Sequence, residues 1–207
     1  MKQAVLIFAK NLIYGEVKTR LAETIGNDRA FFVYKELLQH TKEITKNIIA
    51  DKIVFYSNNV EEKDIWNDET FKKYLQSGND LGERMQNAFE YAFTNGYEEA
   101  VIIGTDCFEL TSSIINDAFS FLKNYDVVIG PAKDGGYYLL GIKKLYKEIF
   151  EDKKWSDVSV FKDTINTINK LHLSNHQLET LTDVDEEKDL PEKFQKGNFN
   201  SYTALSR

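Results

Sequence analysis

A short apolar segment near the middle of the chain, with helix-like sequence on both sides, constrains the fold most strongly. Residues 100–104 contain no polar side chain, and they are followed by Thr105 and Asp106. Such a run is typical of an interior parallel strand that helices cover on both faces. In open α/β sheets, ligands bind beyond the carboxyl ends of the strands. Asp106 is therefore a candidate functional residue, although capping of the next helix would explain it equally well.

Strand-like and helix-like segments alternate along most of the chain. Strands are predicted for residues 4–9, 52–56, 100–106, 126–130, 137–142 and 177–181, and helices for residues 27–46, 81–93, 111–122, 158–170 and 186–194. This alternation indicates an α/β fold, a Rossmann-like three-layer α/β/α sandwich with a mostly parallel sheet. The connection between Ile129 and Tyr137 is too short for a helix. We therefore expect an antiparallel pair there and a mixed sheet.

Size and composition limit the class of protein. The 207 residues can bury a substantial core, and we expect one domain over residues 1–207. The single cysteine and the lack of a zinc-site spacing favour the cytoplasm. No apolar run approaches the ~20 residues of a membrane span. The net charge of -7 argues against nucleic acid as a partner, since binding to a phosphate backbone normally needs a basic surface. The oligomeric state stays open.

The loop after the first predicted strand concentrates positive charge. Residues 10–20 include Lys10, Lys18 and Arg20, at the expected carboxyl edge of the sheet. Ammonium and guanidinium groups bind phosphate oxygens, so the loop is a candidate diphosphate site. It has neither the Walker pattern nor the dinucleotide-binding glycine pattern. An ordinary solvated loop with surface lysines is the alternative.

Three aspartates form a second candidate site. Asp183 and Asp185 follow the last predicted strand, and Asp106 follows the central one. Carboxylates that meet at one edge of a sheet repel each other unless a cation lies between them, and hard oxygen ligands favour Mg²⁺ or Mn²⁺. Substrate phosphates commonly complete such a site. The alternative is that Asp183 and Asp185 cap the last predicted helix.

Two glycine-bearing segments complete the candidate site. Gly135 and Gly136 precede Tyr137, where they would allow the backbone to approach a ligand closely or would simply form a tight turn. Residues 78–84 form a polar loop at a predicted helix start, where free amides could bind a base or a phosphate.

Other notable residues have simpler explanations. Trp155 and Ser156 precede a predicted helix, so packing and capping account for them. His40, His172 and His176 have neither a metal-binding spacing nor a nucleophile partner. We do not predict a catalytic role for any of these residues.

Several of these blocks together carry a resemblance to a known family. They are residues 8–10, 15–21, 80–85, 104–107, 130–141 and 183–185, in order along nearly the whole chain. On these blocks the sequence resembles the bacterial GT-A-type transferases known as arsenosugar-biosynthesis-type glycosyltransferases, a family that began as a domain of unknown function. The resemblance implies the nucleotide-diphospho-sugar transferase fold, which molybdenum-cofactor guanylyltransferase shares.

The resemblance also implies individual roles. It places the metal ion on Asp106 and Asp185. It places the donor phosphates against Ala9, Lys10, Lys18 and Arg20, the base or ribose near Gly82 and Arg84, and the sugar or acceptor near Lys133, Asp134, Gly135, Gly136 and Tyr137. This chain has Asn11 to Tyr14 where members often have proline, a departure that affects the rigidity of the loop more than its charges.

The sequence thus predicts a transferase that uses a nucleotide-activated donor, a divalent cation (Mg²⁺ or Mn²⁺) and a small-molecule acceptor. Lys18 and Arg20 would stabilise charge on the leaving group, and Asp134 is the candidate general base. Glycosyl transfer from a nucleotide-diphospho-sugar is favoured, chiefly by the resemblance. A nucleotidyltransferase that releases pyrophosphate from a nucleoside triphosphate is the alternative, and a catalytically silent nucleotide-binding protein is the third reading.

Overall fold

The computed structural model describes residues 1–66, 69–155 and 157–195. Seven strands form one sheet in the order β3-β2-β1-β4-β6-β5-β7. The strands are β1 (Gln3–Ala9), β2 (Asp51–Tyr56), β3 (Phe71–Leu75), β4 (Glu99–Gly104), β5 (Val127–Pro131), β6 (Tyr137–Ile142) and β7 (Asn175–Gln177). The helices are α1 (Thr19–Ile25), α2 (Asn27–Thr45), α3 (Leu81–Thr94), α4 (Ser112–Leu122) and α5 (Val160–Lys170).

The sheet is mixed and mostly parallel, as the sequence predicts. β1 pairs in parallel with β2 and β4, β2 with β3, and β5 with β7. β6 is antiparallel to both of its neighbours, β4 and β5. The predicted antiparallel pairing of β5 with β6 is confirmed. The insertion of β6 between β4 and β5 is a tertiary feature that the short connection alone could not reveal.

Two apolar layers cover the sheet, one on each face. Side chains alternate across a strand, so Val5 and Ile7 of β1 face one layer while Ala4 and Leu6 face the other. Helices α1, α2 and α4 pack on the first face, and α3 and α5 pack on the second. The predicted three-layer arrangement is therefore confirmed, and it leaves the strand ends free to carry a site.

Two predicted elements near the carboxyl end of the chain are wrong in extent. The strand predicted for residues 177–181 is Asn175–Gln177, and Leu181 forms only an isolated bridge with Ala132. On the other side of β5, its pairing with β6 shifts register between Gly130 and Pro131. The helix predicted for residues 186–194 is two 3₁₀ turns, Glu187–Asp189 and Glu192–Phe194. Pro191 separates them, because proline disfavours a helical residue before it.

Two elements were not predicted. Helix α1 lies in a segment where only a polar loop was predicted, and it has just seven residues. β3 carries little apolar signal because only Phe71 of its five side chains is buried. The predicted cap at Ser156 lies outside the described residues. Within the described part of the chain, none of the helices is both long and apolar enough to cross a membrane.

Candidate active site at the carboxyl edge of the sheet

A cleft of about 800 Å³ opens at the carboxyl edge of the sheet. Its walls come from the segments after β1, β4 and β7, the start of α3, and the connection from β6 to α5. The predicted site residues that line it are Ala9, Lys10, Lys18, Arg20, Arg84, Asp106, Asp134, Gly136, Tyr137 and Asp185. The fold thus brings together residues that are distant in the sequence.

Lys18 lies at the centre of the charged part of the cleft. Its side chain is only 5% exposed, and its Nζ lies 2.8 Å from Asp106 Oδ1 and 3.4 Å from Asp185 Oδ1. The Lys18 backbone is left-handed, with φ 50°, where the loop turns into α1. Burial by itself lowers the pKa of Lys18, but Asp106, Asp185 and Asp183 outweigh it and raise that pKa above its ordinary value. The ammonium group is therefore held in its charged form.

Arg20 approaches the Asp185 carboxylate from the first turn of α1. Its Nη1 lies 3.4 Å from Asp185 Oδ2. The Arg20 side chain is 69% exposed, so solvent screens this ion pair and most donors of the guanidinium remain accessible. An anion in the cleft could bind Arg20 with little disturbance of the fold.

The carboxylates are crowded into a small region. The Val184 amide donates to the Asp106 carbonyl oxygen at 2.8 Å, which joins the segment after β7 to the end of β4. Burial, together with the negative charges of Asp106 and Asp134, raises the pKa of the neighbouring Asp183 carboxyl to about 7, although the Lys18 charge opposes this shift. The region therefore carries more negative charge than Lys18 balances.

The donor set fits a divalent cation that a substrate helps to hold. Among residues 1–66, 69–155 and 157–195, no group of three His, Cys, Asp or Glu side chains could hold a metal ion. Asp106 and Asp185 nevertheless both face one positive group, the Lys18 ammonium. Magnesium sites commonly use one or two protein carboxylates together with substrate phosphates. Two converging carboxylates match that chemistry, whereas an all-protein metal cage is not built here.

Tyr34 fixes the backbone of the first loop. Its buried hydroxyl accepts a hydrogen bond from the Lys10 amide at 2.8 Å and lies 3.0 Å from the Lys10 carbonyl oxygen, to which it can donate. Thr105 Oγ1 is 3.3 Å away. In the sequence Tyr34 is one of several apolar positions of a predicted helix, so nothing marks its hydroxyl as part of the site.

Asn11 joins the loop after β1 to the loop after β2. Its Oδ1 accepts from the Asn58 amide at 2.9 Å, and its Nδ2 donates to the Asn59 carbonyl oxygen at 2.8 Å and to Glu61 Oε1 at 2.9 Å. Asn11 is buried and stands in the stretch where the resembling family often has proline. Hydrogen bonds therefore hold the loop in this chain, by a different means from a proline ring.

Three predicted residues do not line the cleft: Gly82, Lys133 and Gly135. A Cβ at Gly82 would lie 2.4 Å from the ring of Trp155, so this glycine makes room for the indole. Trp155 itself lines the cleft, which sequence reasoning missed. A Cβ at Gly135 would lie 2.1 Å from the Val158 carbonyl oxygen, and Lys133 is exposed.

Burial, a hydrogen bond and ring stacking account for the Cys107 thiol and for two of the histidines. Burial raises the pKa of Cys107 to about 12, so the thiol stays protonated. His40 Nε2 lies 2.9 Å from the Leu110 carbonyl oxygen, and the ring of His176 stacks on Phe121.

Comparison with known proteins relates this geometry to a family. A family model described as an uncharacterized protein conserved in bacteria (DUF2064) matches residues 40–157, more than half of the chain. The chain belongs to the DUF2064 family. One structure similar to this DUF2064 protein is a candidate nucleotide-diphospho-sugar transferase from Desulfovibrio desulfuricans G20. It has a TM-score of 0.85 and 31% identity, over 99% of this chain and 94% of that one.

One further relative and one protein of similar fold carry names of nucleotide-using enzymes. A 2-phospho-L-lactate guanylyltransferase from Methanocaldococcus jannaschii is 28% identical over 191 residues, which are 90% of the DUF2064 chain and 80% of the relative. The inositol-1-phosphate CTP transferase from T. maritima has a TM-score of 0.54 at 13% identity, over 95% of this chain and 97% of that one, a likeness of fold alone. The fold of the DUF2064 protein is thus that of the nucleotide-diphospho-sugar transferase superfamily.

Proposed function

We propose that this protein is a transferase that takes a group from a nucleotide-activated donor with the help of Mg²⁺ or Mn²⁺. The observation that carries the proposal is the buried Lys18 ammonium between Asp106 and Asp185, inside the cleft at the carboxyl edge of the sheet. This edge is where folds of this class bind ligands. The names of the relatives from D. desulfuricans and M. jannaschii support a nucleotide substrate.

The phosphates of the donor bind the basic side of the cleft. Lys18 supplies a buried positive charge, and Arg20 supplies an exposed fork of donors next to it. Ala9, Lys10 and Arg84 line the same cleft and complete the proposed nucleotide contacts. In the transfer, Lys18 and Arg20 stabilise the negative charge that develops on the leaving phosphate.

Asp106 and Asp185 hold the divalent cation in this proposal. When bound, that ion would neutralise phosphate oxygens of the donor and orient them. Four carboxylates, those of Asp106, Asp134, Asp183 and Asp185, outnumber the Lys18 and Arg20 cations here, which supports a further cation. Asp106 and Asp185 therefore have two partners, the Lys18 ammonium and the proposed metal ion.

The acceptor lies near Asp134, Gly136 and Tyr137. Asp134 is exposed at the cleft, and its Oδ1 accepts a hydrogen bond from the Gly136 amide at 2.9 Å, which fixes the carboxylate. A carboxylate fixed at the cleft is suited to accept the proton of an attacking hydroxyl. We expect residues 1–207 to act as one domain on a small-molecule acceptor in the cytoplasm.

Glycosyl transfer is the form of the reaction that we propose first, as in the arsenosugar-biosynthesis-type family that the sequence resembles. An acceptor hydroxyl attacks the anomeric carbon, its proton goes to Asp134, and the nucleoside diphosphate leaves. The name of the M. jannaschii relative favours a second form. There, a phosphate oxygen of the acceptor attacks the α-phosphorus of a nucleoside triphosphate and pyrophosphate leaves.

A thermal-shift panel tests this proposal. Nucleoside triphosphates and nucleotide sugars are compared with and without Mg²⁺ or Mn²⁺, because a ligand that binds only the native state raises Tm. Nucleotide sugars should raise Tm in a metal-dependent way, and a shift with triphosphates alone would favour nucleotidyl transfer. Asp106→Asn should abolish the metal dependence, whereas Asp117→Asn, on the exposed face of α4, should retain it. The absence of any nucleotide shift would contradict the proposal.

A further inference from the structure

One wall of the cleft carries three apolar side chains that are open to solvent, beside the exposed Asp157. Leu81 is 43% exposed and Val158 is 78% exposed, and both line the cleft together with the partly exposed Trp155. We call these three residues the apolar lip. Apolar side chains that meet at a cleft, rather than lie scattered on a surface, are typical of a ligand contact.

The apolar lip lies across the edge of the sheet from the charged residues. Val17 and Leu21, which flank Lys18, belong to the core on one face of the sheet. Trp155 packs against the core on the other face, which includes Met85. A ligand that spans the cleft therefore meets charges at one end and an apolar surface at the other.

The apolar lip is joined to the loop that carries Asp134. The Phe161 amide donates to the Gly135 carbonyl oxygen at 2.9 Å. A Cβ at Gly135 would lie only 2.1 Å from the Val158 carbonyl oxygen, so the two backbones are in direct contact. Because Asp134 is the proposed base for the acceptor, this attachment places the apolar lip on the acceptor side.

Gly82 holds the indole of Trp155 in place. The ring lies 2.4 Å from the position that a Cβ at residue 82 would occupy, so it packs on the backbone of the first turn of α3. A side chain that is already ordered loses little conformational entropy when a ligand binds. Trp155 is therefore a preformed platform for a flat or apolar group.

We propose that the acceptor carries an apolar group, such as a ring, and that this group lies on Leu81, Trp155 and Val158. This inference rests on the proposed function, because it assigns the apolar lip to the acceptor of the same transfer. Trp155 is the specificity-determining residue: it distinguishes acceptors by the group next to the attacking oxygen.

Matched probes test the inference. Phenyl phosphate is compared with methyl phosphate, and phenyl β-glucoside with methyl β-glucoside, by calorimetry in the presence of Mg²⁺ and the nucleotide that raises Tm most. The phenyl member of at least one pair should bind about fivefold or more tightly, from the apolar area that it buries. In Trp155→Ala that preference should fall below about twofold, with an unchanged Kd for the nucleotide. Val158→Ser should reduce it as well, and this exposed substitution keeps the test valid if Trp155→Ala does not fold.

Two outcomes would overturn the inference. One is equal binding of the phenyl and methyl probes by the wild type. The other is a loss of nucleotide affinity in Trp155→Ala as large as the loss of phenyl affinity, which would assign the apolar lip to the nucleobase. Failure of the proposed function would give a different result. In that case the wild type would bind no nucleotide, but it would still prefer the phenyl probes when they are measured without nucleotide.

Discussion

The buried Lys18 ammonium lies 2.8 Å from Asp106 Oδ1 and thereby joins the loop after β1 to the end of β4. Taking an ammonium out of water is costly unless carboxylates compensate for the lost hydration. Lys18 has a left-handed backbone at the start of α1, and its side chain is only 5% exposed. Burial of an ammonium group at this cost in free energy is expected where the positive charge serves binding or catalysis.

We expect Lys18→Met to reduce turnover by about 10²- to 10³-fold, the usual effect of removing a group that stabilises charge in a transition state. The loss of the ammonium also leaves Asp106 without its 2.8 Å ion pair, while Asp185 keeps only its exposed ion pair with Arg20. Measurement of kcat with the preferred donor checks this. Lys46→Met, which removes an exposed lysine paired with Glu43, is the matched control and should retain full activity. Wild-type turnover of Lys18→Met would refute the role of Lys18.

Arg20→Ala should weaken the binding of the donor but leave the stability of the fold almost unchanged. The side chain is largely exposed, so the loss of its ion pair with Asp185 should change the free energy of unfolding by less than ~0.5 kcal/mol. Loss of its hydrogen bonds to phosphate should raise the Kd for nucleoside diphosphates about tenfold. Urea unfolding and calorimetry measure the two quantities. An unchanged Kd would mean that Arg20 does not contact the donor.

Asn11→Ala should destabilise the protein by about 1–3 kcal/mol, because the amides and carbonyls that Asn11 satisfies would lose buried partners. The freed loop after β1 should also raise KM for the donor, since Lys10 and Lys18 belong to that loop. Denaturant unfolding and steady-state kinetics report these effects. Asn47→Ala, at an exposed position, should change neither quantity. If both variants have the same stability, Asn11 does not hold the loop.

Gly82→Ala should displace the indole of Trp155, because the added methyl would overlap its ring. Overpacking of this kind costs about 1–3 kcal/mol. In a Trp66→Phe background the fluorescence reports on Trp155, so the substitution should shift the emission maximum. At Gly104, a Cβ would meet no atom within 4 Å, so Gly104→Ala should preserve stability within ~0.5 kcal/mol. Equal effects of the two substitutions would argue against the predicted overlap.

His40 should contribute to the loss of stability in mild acid. Burial lowers the pKa of His40, and the nearby Lys193 lowers it further, while the contact with the Leu110 carbonyl opposes them. A folded-state pKa below the unfolded value means that the unfolded state binds the proton more readily. Stability is therefore lost as pH falls through the unfolded pKa of ~6.5 toward the folded value.

The half-buried position of His40 limits this effect to less than ~1 kcal/mol. His40→Gln keeps a donor for the Leu110 carbonyl oxygen but cannot titrate. Its free energy of unfolding should therefore fall less between pH 7.5 and pH 5.5 than that of the wild type. Parallel stability curves for the two proteins would exclude His40 as a source of the acid sensitivity.

The sequence by itself determined the layers of the fold and most of the charged residues of the candidate site. Apolar runs and amphipathic helices are local patterns, so β1, β2, β4 and α2 to α4 were predicted closely. Strand ends and basic loops are local as well, which explains why Lys18, Arg20 and Asp106 could be selected. Weak local signals explain the missed β3 and α1, since an edge strand and a seven-residue helix bury few side chains.

Only the tertiary structure decided which groups meet. The insertion of β6 between β4 and β5 depends on pairing between distant segments. The contact of Gly82 with Trp155 and the hydrogen bonds of Asn11 depend on loops that approach each other through space. Side-chain burial is likewise a property of the packed chain. The sequence selects Lys18 only as one of three basic residues in the loop after β1, whereas packing removes its ammonium from water and brings it to 2.8 Å from Asp106 Oδ1.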